Sequence, residues 1–481
     1  MNRRMIFSAV GMMLMVESVL LLLPAVISAI YKERECFAFL AAAVIGFVLG
    51  ILPKLFYKPR THVIYAKEGF IIVAFTWVML SLVGAIPFMI SDEIPSLADA
   101  FFETVSGFTT TGASILKDVE AHSHGVLFWR SFTHWIGGMG IIVFVTAIIP
   151  NVSERPIHIL RAEIPGPTMG KLVPRIKDTA VILYLIYMVM TVIEVILLCL
   201  GGMPFFESLL HSFGTAGTGG FGIKRDSIAG YSPYLQWVIG IFMVLFGINF
   251  NLYYLVIAKK IKAALKSSEL WCFVGIVAVS SVLITFNIRH LFPSFSDSLR
   301  AAFFQVSSII STTGYATADF NAWPSFSKYL LLLLMFVGGC AGSTAGGIKV
   351  SRIIMMFRMV KNEIRRLIHP RAITSLRFEG KSVGGATSKN VSNYFLIYFL
   401  CLAAVVMCLS FEPFSFETNF SAAVSCFNNV GPGLAAVGPA SNYSAYSDFA
   451  KFVLSFAMLL GRLEIFPLII ALSPSAWSRN K

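Results

Sequence analysis

Apolar residues along this chain come in long blocks instead of alternating with polar ones. Blocks of about 20 residues, the length that crosses a bilayer core, recur at 5–30, 36–56, 70–90, 127–149, 179–201, 235–258, 271–289, 328–355, 391–411 and 449–473. The pattern predicts ten membrane-spanning helices. Arg3 and Arg4 before the first block mimic a secretory signal, but the run is too long and holds Glu17. Ile27 also spoils the small-residue cleavage pattern before Ala29, so the segment is expected to be a retained span.

Between several spans lie stretches too apolar for ordinary loops, and four of them share one design. They are SLADAFFETVSGFTTTGASIL (96–116), MPFFESLLHSFGTAGTGGFGI (203–223), FSDSLRAAFFQVSSIISTTGYATADF (295–320) and FSFETNFSAAVSCFNNVGPGLAAVG (414–438). Each reads as a short amphipathic helix, a turn rich in small and hydroxyl residues, and an extended exit. Aligning TTGAS, TGGFG, TTGYA and NVGPG on one glycine gives the anchors Gly112, Gly220, Gly314 and Gly431. The repeated unit is helix, re-entrant loop, helix, and internal repetition at this scale decides the architecture. The expected fold is an all-α polytopic membrane protein with four pseudo-symmetric units around one central pore, plus two extra N-terminal helices. The expected divisions are 1–60 for the N-terminal hairpin, then 61–150, 151–268, 269–370 and 371–481 for the four units.

Two motifs inside this pattern point elsewhere and fail. Gly217, Gly219 and Gly222 spell the G-x-G-x-x-G of a dinucleotide turn. The surroundings are transmembrane, however, and no acidic residue stands about 20 positions on, in WVIGIFMVLF. A membrane oxidoreductase is therefore a distant alternative. GSTAGGIK (342–349) resembles a phosphate-binding loop but has Ile348 where the lysine belongs.

Composition agrees with the spans: 57% of residues are hydrophobic and 13% charged, too few charges to cover a soluble protein of 481 residues. A net charge of +13 would suggest nucleic acid in a soluble chain. Here most of the Lys and Arg fall at 3–4, 54–67, 155–177, 259–266, 349–389 and 479–481, all on one side of the membrane if the N-terminus is cytoplasmic. That is the positive-inside pattern, which places both termini in the cytoplasm of a cell-membrane protein. Membrane lipid with acidic headgroups and a cytosolic protein suit this face, and no nucleic acid is expected. The seven cysteines lie in or beside apolar segments without a C-x-x-C pair and read as small hydrophobes.

Non-helical backbone survives at membrane depth only when buried in protein or lining a water path. Half-helices ending there direct their negative C-terminal ends at whatever occupies the axis, and four of them favour a cation. Glycine at each anchor permits backbone angles that turn carbonyls inward, and rings of carbonyls can replace the hydration shell of potassium. The candidate ion-binding residues are Thr110, Thr111, Gly112, Thr218, Gly219, Gly220, Thr312, Thr313, Gly314, Asn429, Val430 and Gly431.

These loops, with FWRSFTHWIGGMGI (128–141), AEIPGPTMGKLVPRIKDTA (162–180) and STTGYATADF (311–320), resemble the TrkH branch of the Trk/Ktr/HKT potassium transporter superfamily over essentially the whole chain. The resemblance implies potassium uptake with K+ as the transported ion and no organic cofactor or enzymatic step. It also implies a homodimer with one pore per subunit, and a cytosolic TrkA-type nucleotide-binding regulatory ring. In plant relatives a serine at the first anchor goes with sodium transport, and glycine at all four anchors here favours potassium. A sodium or other monovalent-cation pathway on the same scaffold is the alternative, and both a gated channel and a symporter remain open. A serine at Gly112 is expected to lower selectivity and leave the fold intact, its side chain falling beside the pore.

The eighth span is crowded with glycine: Gly338, Gly339, Gly342, Gly346 and Gly347. Each interior glycine weakens a helix by up to about 1 kcal/mol against alanine, so an unwound segment is expected, with Ser343 and Thr344 satisfying freed backbone groups. Close helix packing is the plainer reading of the same glycines. The resemblance makes 338–347 an intramembrane gate. Arg462, inside the last span, needs a partner or water. It is either a positive barrier beside the pore, as the resemblance implies, or half of an ion pair with a carboxylate such as Glu464, Glu17 or Glu194. His134 reads as a packed, hydrogen-bonded residue.

Overall fold

The computed structural model describes residues 3–56, 66–140, 176–371 and 375–477. The end of the 127–149 span, most of the 162–180 motif, part of the basic 54–67 stretch, basic residues at 155–175, and Arg479 and Lys481 lie outside the described residues. Among the described residues the elements are helices, apart from a hairpin of two-residue strands, Arg377–Phe378 with Lys381–Ser382.

Six of the ten predicted spans form membrane-length helices: Arg3–Ile30, Glu35–Phe56, Lys67–Ile90, Thr179–Leu200, Ser268–Leu291 and Gly385–Leu409. The other four are the returning helices of the four units, and each is short or broken. His124–Gly138 has only 15 residues. Pro233–Phe246 turns through 92° into Phe250–Ile257. Ser325–Val337 is separated from Val350–Ile368 by a non-helical stretch, and Asp448–Arg462 from Phe466–Leu472 by a tight turn. Continuous helices expected over 235–258 and 449–473 are thus corrected. Hydropathy averages over a window longer than either bend, so one or two polar residues such as Asn249 or Glu464 do not register as a break.

The N-terminal pair packs through small residues. A Cβ on Gly11 or Gly50 would strike the other's carbonyl oxygen, and Gly46 lies against Ser18. In lipid, where apolar burial gives helices no drive to associate, such close backbone approach supplies the contact. The pair rests on Ala66–Ile90, the leading helix of the first unit.

Within each unit the chain then drops into a short helix: Leu97–Phe108, Phe205–Ala216, Phe295–Ile310 and Phe416–Phe427. These four pore helices start alike. Ser96, Ser294 and Ser415 cap three of them by accepting a backbone N–H, and Pro204 opens the fourth. Each carries one acid in its first turn, Asp99, Glu207, Asp297 or Glu417, facing the positive end of the helix dipole. The last six residues of each are buried, so all four negative ends finish inside the protein.

Candidate functional site

All four loops leave their pore helices through the same closure. The N–H groups of Thr110, Thr218, Thr312 and Asn429 donate to carbonyls three residues back, at 3.0, 3.0, 3.1 and 3.3 Å. The next N–H in each loop donates five residues back, to Ser106, Gly214, Ser308 or Ser425, at 2.8–2.9 Å. This Schellman-type ending needs a left-handed residue, and Thr110, Thr218, Thr312 and Asn429 have φ of 54°, 55°, 58° and 57°. For threonine that conformation is strained by roughly 1–2 kcal/mol. Two residues on, the anchors Gly112, Gly220, Gly314 and Gly431 have φ of 78°, 74°, 89° and 99°. The alternating sign of φ swings successive carbonyls toward one side of the chain, where a strand would alternate them.

The loops close into a ring. The carbonyl of Gly219 sits against the Cα of Gly112, that of Thr313 against Gly220, that of Val430 against Gly314, and that of Thr111 against Gly431. Each loop therefore presses the carbonyl before its own anchor onto the anchor of the preceding loop, in the order 1-2-3-4-1. A Cβ at any anchor would collide with that oxygen. This corrects the expectation for serine at 112: its side chain points at the Gly219 carbonyl of the second loop. The structure brings all twelve predicted loop residues into this one assembly. All four anchors also line a single cavity of about 240 Å³ that forms its mouth. At the rim, in loops beyond the spans, Arg225 pairs with Asp118 and its hydrogen bonds hold that carboxyl below the usual carboxylate range.

The supports behind the ring differ. Loops 1 and 3 pair hydroxyls, Thr109 with Thr111 at 2.8 Å and Ser311 with Thr313 at 2.7 Å. Loop 2 has glycines there, and His134 fills the space, its ring against Gly219 and stacked on Phe221 at 4.2 Å. His134 is fully buried as expected; the Ser106 backbone is its polar neighbour, and neither ring nitrogen has an ordinary-length hydrogen bond among the described residues. In loop 4, Asn429 Nδ2 donates to Thr111 Oγ1 at 3.0 Å and to the Met458 carbonyl at 2.9 Å. Tyr443 donates to the Gly431 carbonyl at 2.8 Å.

Directly against this assembly lies the stretch 338–349. Gly346 N–H donates to Thr312 Oγ1 at 2.7 Å, and Gly347 N–H to the Asn428 carbonyl at 3.1 Å. The unwinding expected for this segment is present, and its polar groups are met. Ser343 Oγ donates to the Cys340 carbonyl at 2.6 Å and Thr344 Oγ1 to that of Phe246 at 3.2 Å. The break in the second unit cradles it: Cys340 N–H donates to Gly247 and Phe250 N–H to Gly342, at 2.9 and 3.0 Å. Gly338, Gly342 and Gly347 carry positive φ, while Gly339 and Gly346 admit backbone from neighbouring segments.

Arg462 holds this stretch from beside it. Its guanidinium donates to the Thr344 carbonyl at 2.8 Å and to the Gly138 and Gly137 carbonyls, at 2.7 and 2.5 Å, where His124–Gly138 ends. Glu464 is engaged elsewhere, by Arg352 at 2.5 and 3.1 Å, with that guanidinium 4.0 Å over the Tyr394 ring. Glu17 makes no hydrogen bond among the described residues, and the Glu194 carboxyl lies beside the Thr215 hydroxyl.

The sequence matches the family described as TrkH, cation transport protein, over residues 36–481. The chain belongs to the TrkH family. It is 36% identical over 485 residues to the Trk system potassium uptake protein TrkH of Salmonella typhimurium, covering 99% of this chain and 100% of that one. It is 35% identical to the Trk system potassium uptake protein TrkG of Escherichia coli, covering 98% of each. The crystal structure of the potassium transporter TrkH from Vibrio parahaemolyticus superimposes with a TM-score of 0.89 at 33% identity, over 99% of this chain and 100% of that one.

Several residues of the site were not anticipated. Lys349 is buried at φ 82° and its ammonium donates to the Ala345 carbonyl inside the unwound stretch. Buried Glu269 accepts from the N–H groups of Ala341 and Ser351 at 2.7 and 3.1 Å, holding both ends of that stretch. Glu103 and Arg130 form a buried ion pair behind loop 1. All four are ionisable residues in or beside apolar segments, and that property was the available signal.

Proposed function

We propose that this chain is a potassium uptake subunit of the cell membrane, with the ring of four loops as its selectivity filter. The observation that carries the reading is the closed ring, with a left-handed residue and a left-handed glycine repeated in all four loops. Such backbone offers carbonyl oxygens in place of water to an ion entering from the mouth. The buried negative ends of four pore helices lower its energy further. The family's cation transport description and the relatives named potassium uptake proteins supply the ion. The filter residues are Thr110–Gly112, Thr218–Gly220, Thr312–Gly314 and Asn429–Gly431.

The stretch 338–347 acts as the gate, lying across the path against Thr312 and Asn428, and Arg462 latches it through Thr344. The remaining assignments rest on the positive-inside pattern and on the resemblance. Both termini are cytoplasmic, the subunit pairs with a second copy, and a TrkA-type nucleotide-binding ring regulates it from the cytosol. The four units divide near residues 60, 150, 268 and 370. Reversal potentials of the purified protein in liposomes, under imposed potassium, sodium and proton gradients, test the reading. A potential that follows potassium is expected, and one that follows sodium or protons alone would refute it.

A further inference from the structure

The pore-helix residue nine positions before each anchor is Glu103, His211, Gln305 or Ala422. These equivalent positions do different work. Gln305 Nε2 donates to the Ala318 carbonyl at 3.5 Å, a long bond, and His211 lies 3.4 Å from the Tyr315 hydroxyl and 3.2 Å from that of Tyr231. Ala422 has no polar group to offer. Glu103 is the charged one, and it collects more partners than the others. It accepts from Ser114 Oγ at 2.9 Å, from the Ile115 N–H at 3.0 Å and from Arg130 Nε at 2.7 Å, and Arg130 Nη2 lies 2.7 Å from the same carboxylate oxygen as an ion pair.

Ser114 and Ile115 are the second and third residues after the anchor Gly112, so the carboxylate grips the exit of loop 1. Arg130 extends the grip. Its Nη2 donates to Ser114 Oγ at 3.2 Å, and its guanidinium lies 4.1 Å over the ring of Phe221, the residue that follows the anchor Gly220. The Phe221 carbonyl in turn lies 3.4 Å from the Tyr315 hydroxyl, next to the anchor Gly314. Glu103 is 1% exposed and Arg130 2%, so the ion pair itself is shielded from water, although Arg130 and the half-buried Ser114 line the mouth cavity. A planar fork gripped at several points is stiffer than single neutral bonds.

We propose that Glu103 and Arg130 are positioning residues for ion selectivity, fixing the spacing between loops 1 and 2 at the neighbouring anchors Gly112 and Gly220. The inference rests on the filter reading above. Discrimination between potassium and sodium depends on how far the carbonyls can close on the smaller ion, and this pair limits that travel in one quadrant of the ring. Neither residue is one of the filter residues named above. The influence of the pair passes through Ser114, Ile115 and Phe221.

The test is the potassium-over-sodium permeability ratio of the full chain in liposomes, read from bi-ionic reversal potentials. Glu103→Gln keeps the shape and removes the charge. Arg130→Lys keeps the charge and loses the fork. Both are expected to lower the ratio several-fold in protein that still conducts. Phe221→Leu leaves the ion pair whole and removes only the stacked ring, and a smaller fall is expected. An unchanged ratio in Arg130→Lys protein would overturn the proposal. If the variants in the ion pair fail to accumulate, Phe221→Leu decides, and an unchanged ratio there overturns it too. The unsubstituted chain separates the two claims. Lack of potassium preference in it would sink the filter reading, whereas a selective parent with equally selective variants sinks only the positioning role.

Discussion

Replacing Arg462 with alanine removes the group that ties the proposed gate to its surroundings. Of three guanidinium bonds to carbonyl oxygens among the described residues, the one to Thr344 joins it to the stretch 338–349. The other two fasten it to the end of His124–Gly138. Opening the gate with Arg462 present must therefore break one charge-assisted bond, worth about 1.5–3 kcal/mol. At about 1.4 kcal/mol per factor of ten, its loss shifts the closed-to-open balance by about 10- to 150-fold. The expected result is a rise in rubidium flux into liposomes without any cytosolic partner, up to that factor unless the open state saturates first. Thermal stability should fall at the same time, because the Gly137 and Gly138 carbonyls lose their donor. A barrier acting by charge alone predicts the rise in flux without the loss of stability, and a purely structural bond predicts the reverse. Arg462→Lys is expected to fall between, since one ammonium cannot serve three carbonyls on two segments in the geometry of a planar fork. Flux at or below the parental level, in alanine protein that inserts normally, would refute the latch.

Three further outcomes follow from the same geometry. Gly112→Ser should lower the potassium-over-sodium ratio and also the melting temperature. The added carbon meets the Gly219 carbonyl and the site holds φ 78°, a strain of roughly 1–2 kcal/mol for a side chain; an unchanged ratio would remove this carbonyl ring from the filter. Deleting three or four residues within 338–347 should raise basal flux, and flux that stays at the intact level in inserted protein would mean that the glycines serve packing alone. Tyr443→Phe removes a 2.8 Å bond to the Gly431 carbonyl, worth about 1 kcal/mol. Conductance should change with abundance unaltered, and conductance equal to the parent's would take that carbonyl off the ion path.

How much of this was legible in the sequence depends on what each feature asks of a residue type. The anchors were legible because left-handed backbone pressed against a neighbouring carbonyl leaves room for glycine alone. Each of the four loops therefore repeats the same letter. The left-handed positions two residues earlier were not, since Thr110, Thr218 and Thr312 are held there by tertiary structure against their own preference. The unwound stretch was legible because five glycines sit close together. The breaks at 247–249 and 463–465 were not, because the long apolar runs around them mask a single Gly247 or Pro467, and the first is stabilised by the distant stretch at 340–344. Arg462 was legible as a problem and not as a solution. Its observed partners are backbone carbonyls, which no residue type advertises, while the carboxylate nearest in sequence, Glu464, faces Arg352.

The four loops agree in backbone and disagree in what supports it, and one chain makes that possible. In a ring of identical subunits every substitution appears four times, so a support can be exchanged only if it works in all quadrants at once. Here each quadrant is encoded separately. Loops 1 and 3 brace themselves with hydroxyl pairs. Loop 2 lacks those side chains, and His134 from another segment occupies the space against Gly217 and Gly219. Loop 4 puts Val430 where the others have threonine or glycine, and Asn429 reaches across to Thr111 instead. The φ values of Thr110, Thr218, Thr312 and Asn429 nonetheless agree within 4°, and the anchor glycines are all left-handed. What the ion path demands is the position of carbonyl oxygens, and backbone geometry fixes those whatever stands behind it. The unequal supports therefore predict unequal stiffness around one ring, greatest between loops 1 and 2, where the Glu103–Arg130 ion pair lies.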